Sequence, residues 1–279
     1  MDVGEDQSMS FFVEANGQPG RGDDRQGFLA NTGPHVQTPI QTQLQAQAQA
    51  APRCLRCAVR NEGLCAALPA GELPELTAIS RNRDVGAGEM VTIEGQDADA
   101  VFTLVSGMLK IYKTLPDGRE QITGFATPGD VVGLAFGSCY VYTAEAVAPS
   151  TVCGMVRRGL HGLVDRKPRL QGRLLSMLSA ELTAAQDQIL MLGCKNATER
   201  VCTFLLALAR RAPKDEQGRP VVFLPMKKLD MGGYLGLRPE TISRVLRSLE
   251  TKGLITRTRS AHIRIDDLDT FGDLAVAAE

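Results

Sequence analysis

Between Leu73 and Val156 the chain advances in short apolar runs, each closed by a turn. This punctuation restricts the fold more than any other feature. The runs include Met90–Ile93, Val101–Val105, Leu109–Tyr112, Gln121–Phe125 and Ser150–Val156. Between them stand Gly86-Ala-Gly88, Glu94-Gly95, Ser106-Gly107, Pro116-Asp-Gly118 and Pro128-Gly-Asp130. Many short strands at regular spacing close into an antiparallel roll or barrel.

Beyond Val156 the period becomes helical. Leu178, Leu182, Ala185, Ile189 and Leu192 recur at alternating spacings of four and three. That is a coiled-coil seam, and over Pro168–Leu192 it predicts a dimerisation helix paired with a second copy. A helix packed on its own chain is the plainer alternative. Asn196–Arg211 reads as a further helix and Pro213–Pro220 as a polar break. Residues 221–265 read as a compact unit: a strand at Val221–Leu224, two helices, then strands at Leu254–Thr258 and His262–Ile265 around a basic turn. Residues 266–279 read as an acidic tail. Residues 1–52 are rich in Gly, Gln, Asp and Pro with few large apolar side chains, and are expected to be disordered.

The compact unit carries a helix-turn-helix sequence, Tyr234-Leu-Gly-Leu-Arg-Pro-Glu-Thr-Ile-Ser-Arg244. Lys228–Leu235 forms the first helix and Gly236 the turn, where glycine allows a positive φ. Pro239 suits the first turn of the second helix, where its missing N–H has no partner to lose. Ile242, Val245, Leu246 and Leu249 supply a buried face, leaving Glu240, Ser243, Arg244 and Arg247 on the other. A carboxylate can accept from cytosine N4, and an arginine can pair with guanine O6 and N7. Arg257 and Arg259 in the turn of the strand pair suit phosphate contacts. The local charge agrees: residues 200–265 hold fourteen Lys or Arg against five Asp or Glu, although the whole chain carries only −1. Such a basic module fits double-stranded DNA as partner. Arg238 is a misfit, because a Ser or Thr would be the expected helix cap there.

Cysteine is the other informative residue. The chain has seven, at 54, 57, 65, 139, 153, 194 and 202. No apolar run is long enough to cross a bilayer, and the first twenty residues lack a basic start followed by an apolar stretch. A cytoplasmic protein without a membrane role is expected. In a reducing compartment, metal binding explains clustered cysteines better than disulfides do. Cys54-x2-Cys57-x7-Cys65 can place three thiolates on one centre, with Cys139 or Cys153 as a fourth. Four thiolates suit a structural zinc or an iron–sulfur cluster. Cys194 and Cys202 fall in helical segments and read as small apolar residues. His35, His161 and His262 are scattered, so no catalytic set is legible and an enzyme is not expected.

The order of cysteine segment, glycine-punctuated roll, dimer helix and winged helix resembles the Crp/Fnr regulators over roughly residues 54–270. Within them it resembles the oxygen-responsive Fnr branch. Gly118-Arg-Glu-Gln-Ile-Thr-Gly-Phe125, Gly129-Asp-Val-Val-Gly133, Asp187-Gln-Ile-Leu190 and the helix-turn-helix carry the likeness. The resemblance implies an α+β fold: a cyclic-nucleotide-binding-like antiparallel β-roll, a long dimerisation helix and a C-terminal winged helix-turn-helix. It implies a [4Fe-4S] cluster on Cys54, Cys57, Cys65 and Cys153. Cys153 is preferred to Cys139 because it follows the Glu145–Val152 run that precedes the family's internal ligand. The x7 spacing is longer than the x5 of enterobacterial Fnr proteins.

The resemblance also implies that Glu240, Ser243 and Arg244 read a TTGAT…ATCAA palindrome as a homodimer, with RNA polymerase as a further partner. Cyclic AMP is not expected. Where its binders carry Gly-Glu and Arg-Ser or Arg-Thr pairs, this chain reads Gly133-Leu134 and Tyr142-Thr143, with no arginine for the phosphate. The expected division is a tail at 1–52, a cysteine segment and sensor roll at 53–167, a dimer helix at 168–194 and a DNA-binding part at 195–279. Two other readings stand beside an oxygen-sensing regulator. One is a regulator without a cluster, its cysteines holding zinc or sensing thiol oxidation. The other is an electron-transfer iron–sulfur protein, which leaves the basic winged helix unexplained.

Overall fold

The computed structural model describes residues 52–134 and 137–276. The expected disordered tail lies outside the described residues, Pro52 excepted. A short helix α1 (Pro52–Leu55), a 3-10 turn (Leu64–Ala67) and helix α2 (Leu73–Ala78) precede the first strand.

The roll is two four-stranded antiparallel sheets. One has the order β1 (Ser80–Val85), β8 (Ser150–Val156), β3 (Ala100–Ser106), β6 (Val131–Val132). The other runs β2 (Met90–Thr92), β7 (Thr143–Ala146), β4 (Leu109–Thr114), β5 (Glu120–Ala126). Period-two burial places Leu104, Leu109, Val132, Ala144 and Val152 in one core cluster, as two facing sheets require.

Two helices follow directly, α3 (Arg157–Arg166) and α4 (Pro168–Cys194). Leu160, Leu163 and Leu170 from them share a second core with Leu64, Leu68, Leu73 and Leu76, so the cysteine segment is fastened to the base of the long helix. At about 1.5 Å per residue α4 is roughly 40 Å long. It ends at Lys195, and Asn196 restarts the chain as the cap of α5 (Ala197–Ala209). The Asn196 side chain accepts from the backbone of Thr198 and Glu199 while Glu199 accepts from Asn196 N–H, a full capping box. Arg200 donates to the carbonyls of Leu192 and Lys195, both at 2.8 Å, which satisfies the orphaned end of α4, and to that of Leu235 at 3.0 Å.

The last unit holds β9 (Val221–Phe223), α6 (Lys228–Leu235), α7 (Pro239–Thr251), β10 (Ile255–Arg259) and β11 (His262–Ile265). Its sheet has the order β10-β11-β9. The expected acidic tail is instead a helix, α8 (Leu268–Val276), which packs on α5. Phe271 is fully buried there and Ala275 nearly so. The acidic residues lie outward, and burial of the apolar side between them outweighs their charge.

The helix-turn-helix unit rests on the β4–β5 hairpin. Phe125, Phe204 and Tyr234 form an aromatic triad with centroids 5.4–5.7 Å apart. Gln121 donates to the Gly233 carbonyl at 2.8 Å. Lys110, nearly buried, lies 3.2 Å from Glu145, 3.6 Å from Asp230 and 3.8 Å from Glu120.

Candidate functional site

Three surfaces hold the residues singled out by sequence. On the first, α6 ends at Gly236, whose φ of 62° makes the left-handed turn that redirects the chain into α7. Ile242, Val245, Leu246 and Leu249 are buried, and Glu240, Arg244 and Arg247 are exposed. Arg238 occupies the cap position of α7 with no side-chain cap bond. Ser243 is already engaged: its hydroxyl accepts from Lys228 Nζ at 2.8 Å and donates to the Pro239 carbonyl at 2.9 Å. Arg244 and Arg247 line a shallow groove with Ser248, Thr251 and Lys252. Sequence reading missed these last three, although each follows Arg244 or Arg247 on the same helical face. In the β10–β11 strand pair Arg257 lies 3.3 Å from Glu250, while Arg259 is exposed.

The second surface is the outer side of α4. Leu182 and Ile189 are 62% and 70% exposed, Ala185 is exposed and Leu178 half-buried. Leu192 is half-buried near Gly236, so it stands apart from the open row. Leu175, 70% exposed, extends the row one turn toward the N-terminus and was not singled out. Among the described residues the stripe stands open at Leu175, Leu182, Ala185 and Ile189, while Leu178 is half-buried beside Leu160 and Val164 of α3.

The third is the cysteine segment. Cys54 is buried, Cys57, Cys65 and Cys153 are half-buried, and all are free thiols. Strand pairing sets Cys153 of β8 opposite Asn82 on β1 and Thr103 on β3. Burial first, then the neighbouring Cys153, Cys54 and Cys57, push the Cys65 thiol up to about 12, with Arg60 opposing. Burial likewise raises Cys153, against a hydrogen bond from Ser80. The four thiols are near enough to influence one another. Among the described residues no three His, Cys, Asp or Glu are drawn tightly enough to hold an ion as they stand.

The surroundings are ordered by hydrogen bonds. Thr77 Oγ1 lies 3.0 Å from Cys54 Sγ and 2.9 Å from the Leu73 carbonyl. Arg53 donates to Thr77 and Ser80, and Arg60 to the carbonyls of Cys65 and Leu68. The donor set is soft and purely sulfur, the chemistry that zinc and iron–sulfur groups take. The residues thus fit a thiolate-bound metal group. Cys139 lies elsewhere, bridged to Asp97, and Cys194 is exposed on α4.

Between the roll and α4 lies a cleft of about 700 Å³, lined by Tyr142, Arg173, Glu181, Ala185 and Arg211 among others. The Tyr142 hydroxyl accepts from Gly133 N–H at 2.9 Å.

Residues 199–274 match the family described as the Crp-like helix-turn-helix domain, and residues 82–167 match the cyclic nucleotide-binding domain. The chain is 36% identical over 226 residues to the transcriptional activatory protein AadR of Rhodopseudomonas palustris, covering 81% of this chain and 94% of that protein. It is 32% identical over 229 residues to the transcriptional activator protein FnrL of Cereibacter sphaeroides, covering 79% and 92%. The solved structure of FixK2 from Bradyrhizobium japonicum matches with a TM-score of 0.66 and 34% identity, over 72% of this chain and all of that one.

Proposed function

The chain belongs to the Crp/Fnr family of transcription regulators, which are DNA-binding proteins and not enzymes, and from this we propose that it is an oxygen- or redox-responsive activator working as a homodimer on a palindromic site. Cys54, Cys57, Cys65 and Cys153 would hold a [4Fe-4S] cluster. The observation that carries the reading is that those four thiols, from a helix, the loop after it, a 3-10 turn and a strand, lie near enough to act on one another. When bound, the cluster would supply a centre that oxygen can attack.

The chain's own residues do the rest. Thr77 and Ser80 orient the sulfurs of Cys54 and Cys153. Arg53 and Arg60 bring positive charge to a site that four thiolates would make negative. Leu64 and Leu68 seat the segment against Leu160 and Leu170, so a change in the segment reaches the start of α4. The stripe of Leu175, Leu178, Leu182, Ala185 and Ile189 would pair with a second copy. Two copies of α7 would then enter successive major grooves about one DNA turn apart. Glu240 and Arg244 would read bases and Arg247, Arg257 and Arg259 would hold phosphates. In this reading the sensor spans 53–167, the dimer helix 168–194 and the DNA-binding part 195–279. Activator names among the relatives support RNA polymerase as a further partner. No helix among the described residues is long and apolar enough to cross a membrane, and the reading places the protein in the cytoplasm with its DNA.

The visible spectrum of anaerobically purified protein, with iron and sulfide content, tests the reading. A broad charge-transfer band bleached by air is expected; a colourless protein with no iron overturns it. A second reading keeps the DNA-binding regulator and has zinc or thiol oxidation at the same cysteines, which their all-sulfur donor set also suits. Metal content after the same purification separates the two.

A further inference from the structure

The x7 loop between Cys57 and Cys65 does more than join two cysteines. Its Glu62 reaches the DNA-binding part of the chain. Arg211, just past the end of α5, lies 2.8 Å from Glu62 Oε2 and 2.5 Å from Asp130 Oδ1. It also donates to Thr127 Oγ1 at 3.1 Å and to the Pro128 carbonyl. From the other side Arg173 of α4 donates to the carbonyls of Glu62 and Gly63. The junction is close: a Cβ on Gly129, whose φ is 94°, would lie 2.5 Å from Arg211 Nη2 and 2.7 Å from Glu62 Cβ. The backbone at 129 is therefore shaped to let the guanidinium and the loop meet.

We propose that Arg211 is a positioning residue through which the Cys57–Cys65 loop sets the DNA affinity of the helix-turn-helix unit. The proposal rests on the reading of the cysteine segment as the sensing element. A planar guanidinium with two carboxylates and two further acceptors fixes direction as well as distance. A loop held this way can shift only if Arg211 shifts or lets go. The loop then reports to the DNA-binding part directly, in parallel with any route along α4. Glu62 sits five residues after Cys57 and three before Cys65, so a rearrangement of either cysteine moves it.

The test uses the full-length chain and a duplex bearing the TTGAT…ATCAA palindrome. DNA dissociation constants are measured with native cysteines and in a Cys54→Ser background, and their ratio is the response of the protein to its cysteine segment. Arg211→Gln and Glu62→Gln should each shrink that ratio about twofold to fivefold, and the double variant no further, because both remove one shared interaction. Arg211→Lys, which keeps the charge and loses the fork, should keep part of the response. Hydrogen exchange across residues 58–64 of the free protein should speed up in Arg211→Gln while its far-ultraviolet circular dichroism is unchanged. An unaltered ratio in Arg211→Gln, effects that multiply in the double variant, or unchanged exchange would each overturn the proposal. A wild-type ratio of one would sink the sensing reading itself and this proposal with it.

Discussion

Replacing Ile189 by glutamate is the sharpest test of the α4 stripe as a dimer seam. Ile189 is 70% exposed in the single chain. Full burial of such a side chain contributes about 1.5–3 kcal/mol, so roughly 1–2 kcal/mol per copy is still to be gained at the seam. Symmetry doubles this to about 2–4 kcal/mol, or roughly thirty-fold to a thousand-fold in the dimer dissociation constant at about 1.4 kcal/mol per decade. A carboxylate forced into the seam adds a desolvation penalty, so about thirty-fold is a floor. Leu190 provides the control. It is 59% exposed, but at 3.6 residues per turn it points about 100° away from its neighbour. Leu190→Glu should leave association nearly unchanged. Sedimentation velocity over a range of protein concentrations measures both. Equal dissociation by the two variants, or a persistent Ile189→Glu dimer, would refute the seam.

Three further outcomes are expected. Serine at Cys54, Cys57, Cys65 or Cys153 should each abolish iron and sulfide uptake, since a hydroxyl is a poor iron ligand, while Cys139→Ser should not; retained iron in Cys153→Ser would remove it from the ligand set. Arg244→Ala should cost about 1–3 kcal/mol per half-site at the guanine of TTGAT only, whereas Arg259→Ala should weaken all sequences alike and reduce the salt slope by about one. Titrations on wild-type and guanine-replaced palindromes at several salt concentrations distinguish these. Phe271→Ala should destabilise the DNA-binding part by about 3–5 kcal/mol, because a fully buried ring is lost; a melting temperature within a degree of wild type would mean that α8 is not part of that core.

The roll was legible because its turns are chemically marked, and the helix-turn-helix because turn, core and polar face agree locally. What escaped depended on partners distant in sequence. Strand β1, Ser80-Arg-Asn-Arg-Asp-Val85, is polar through its middle and exists by pairing with β8. Helix α8 was hidden by Asp267, Asp269 and Asp273, although Leu268, Phe271 and Leu274–Ala275 recur at helical spacing. Helices α2 and α3 lie in or beside the strand region, where short apolar runs do not declare their period. Spacing alone joins Cys54, Cys57 and Cys65. Cys153, far along the chain, was named only through the resemblance, since its pairing with Asn82 on β1 and Thr103 on β3 is not written in any spacing.

The seat of the helix-turn-helix on the β4–β5 hairpin limits how freely this protein can exchange parts with its relatives. Lys110, Gln121 and Phe125 belong to the roll by chain order, yet they complete the underside of α6 and the aromatic triad around Tyr234. A chimera cut cleanly within the link at Lys195 would carry a DNA reader without its footing. Lineages that change target sequence can therefore vary the outer face of α7 at little cost, while Tyr234, Asp230 and the hairpin must drift together. Modularity here follows the hairpin, not the linker.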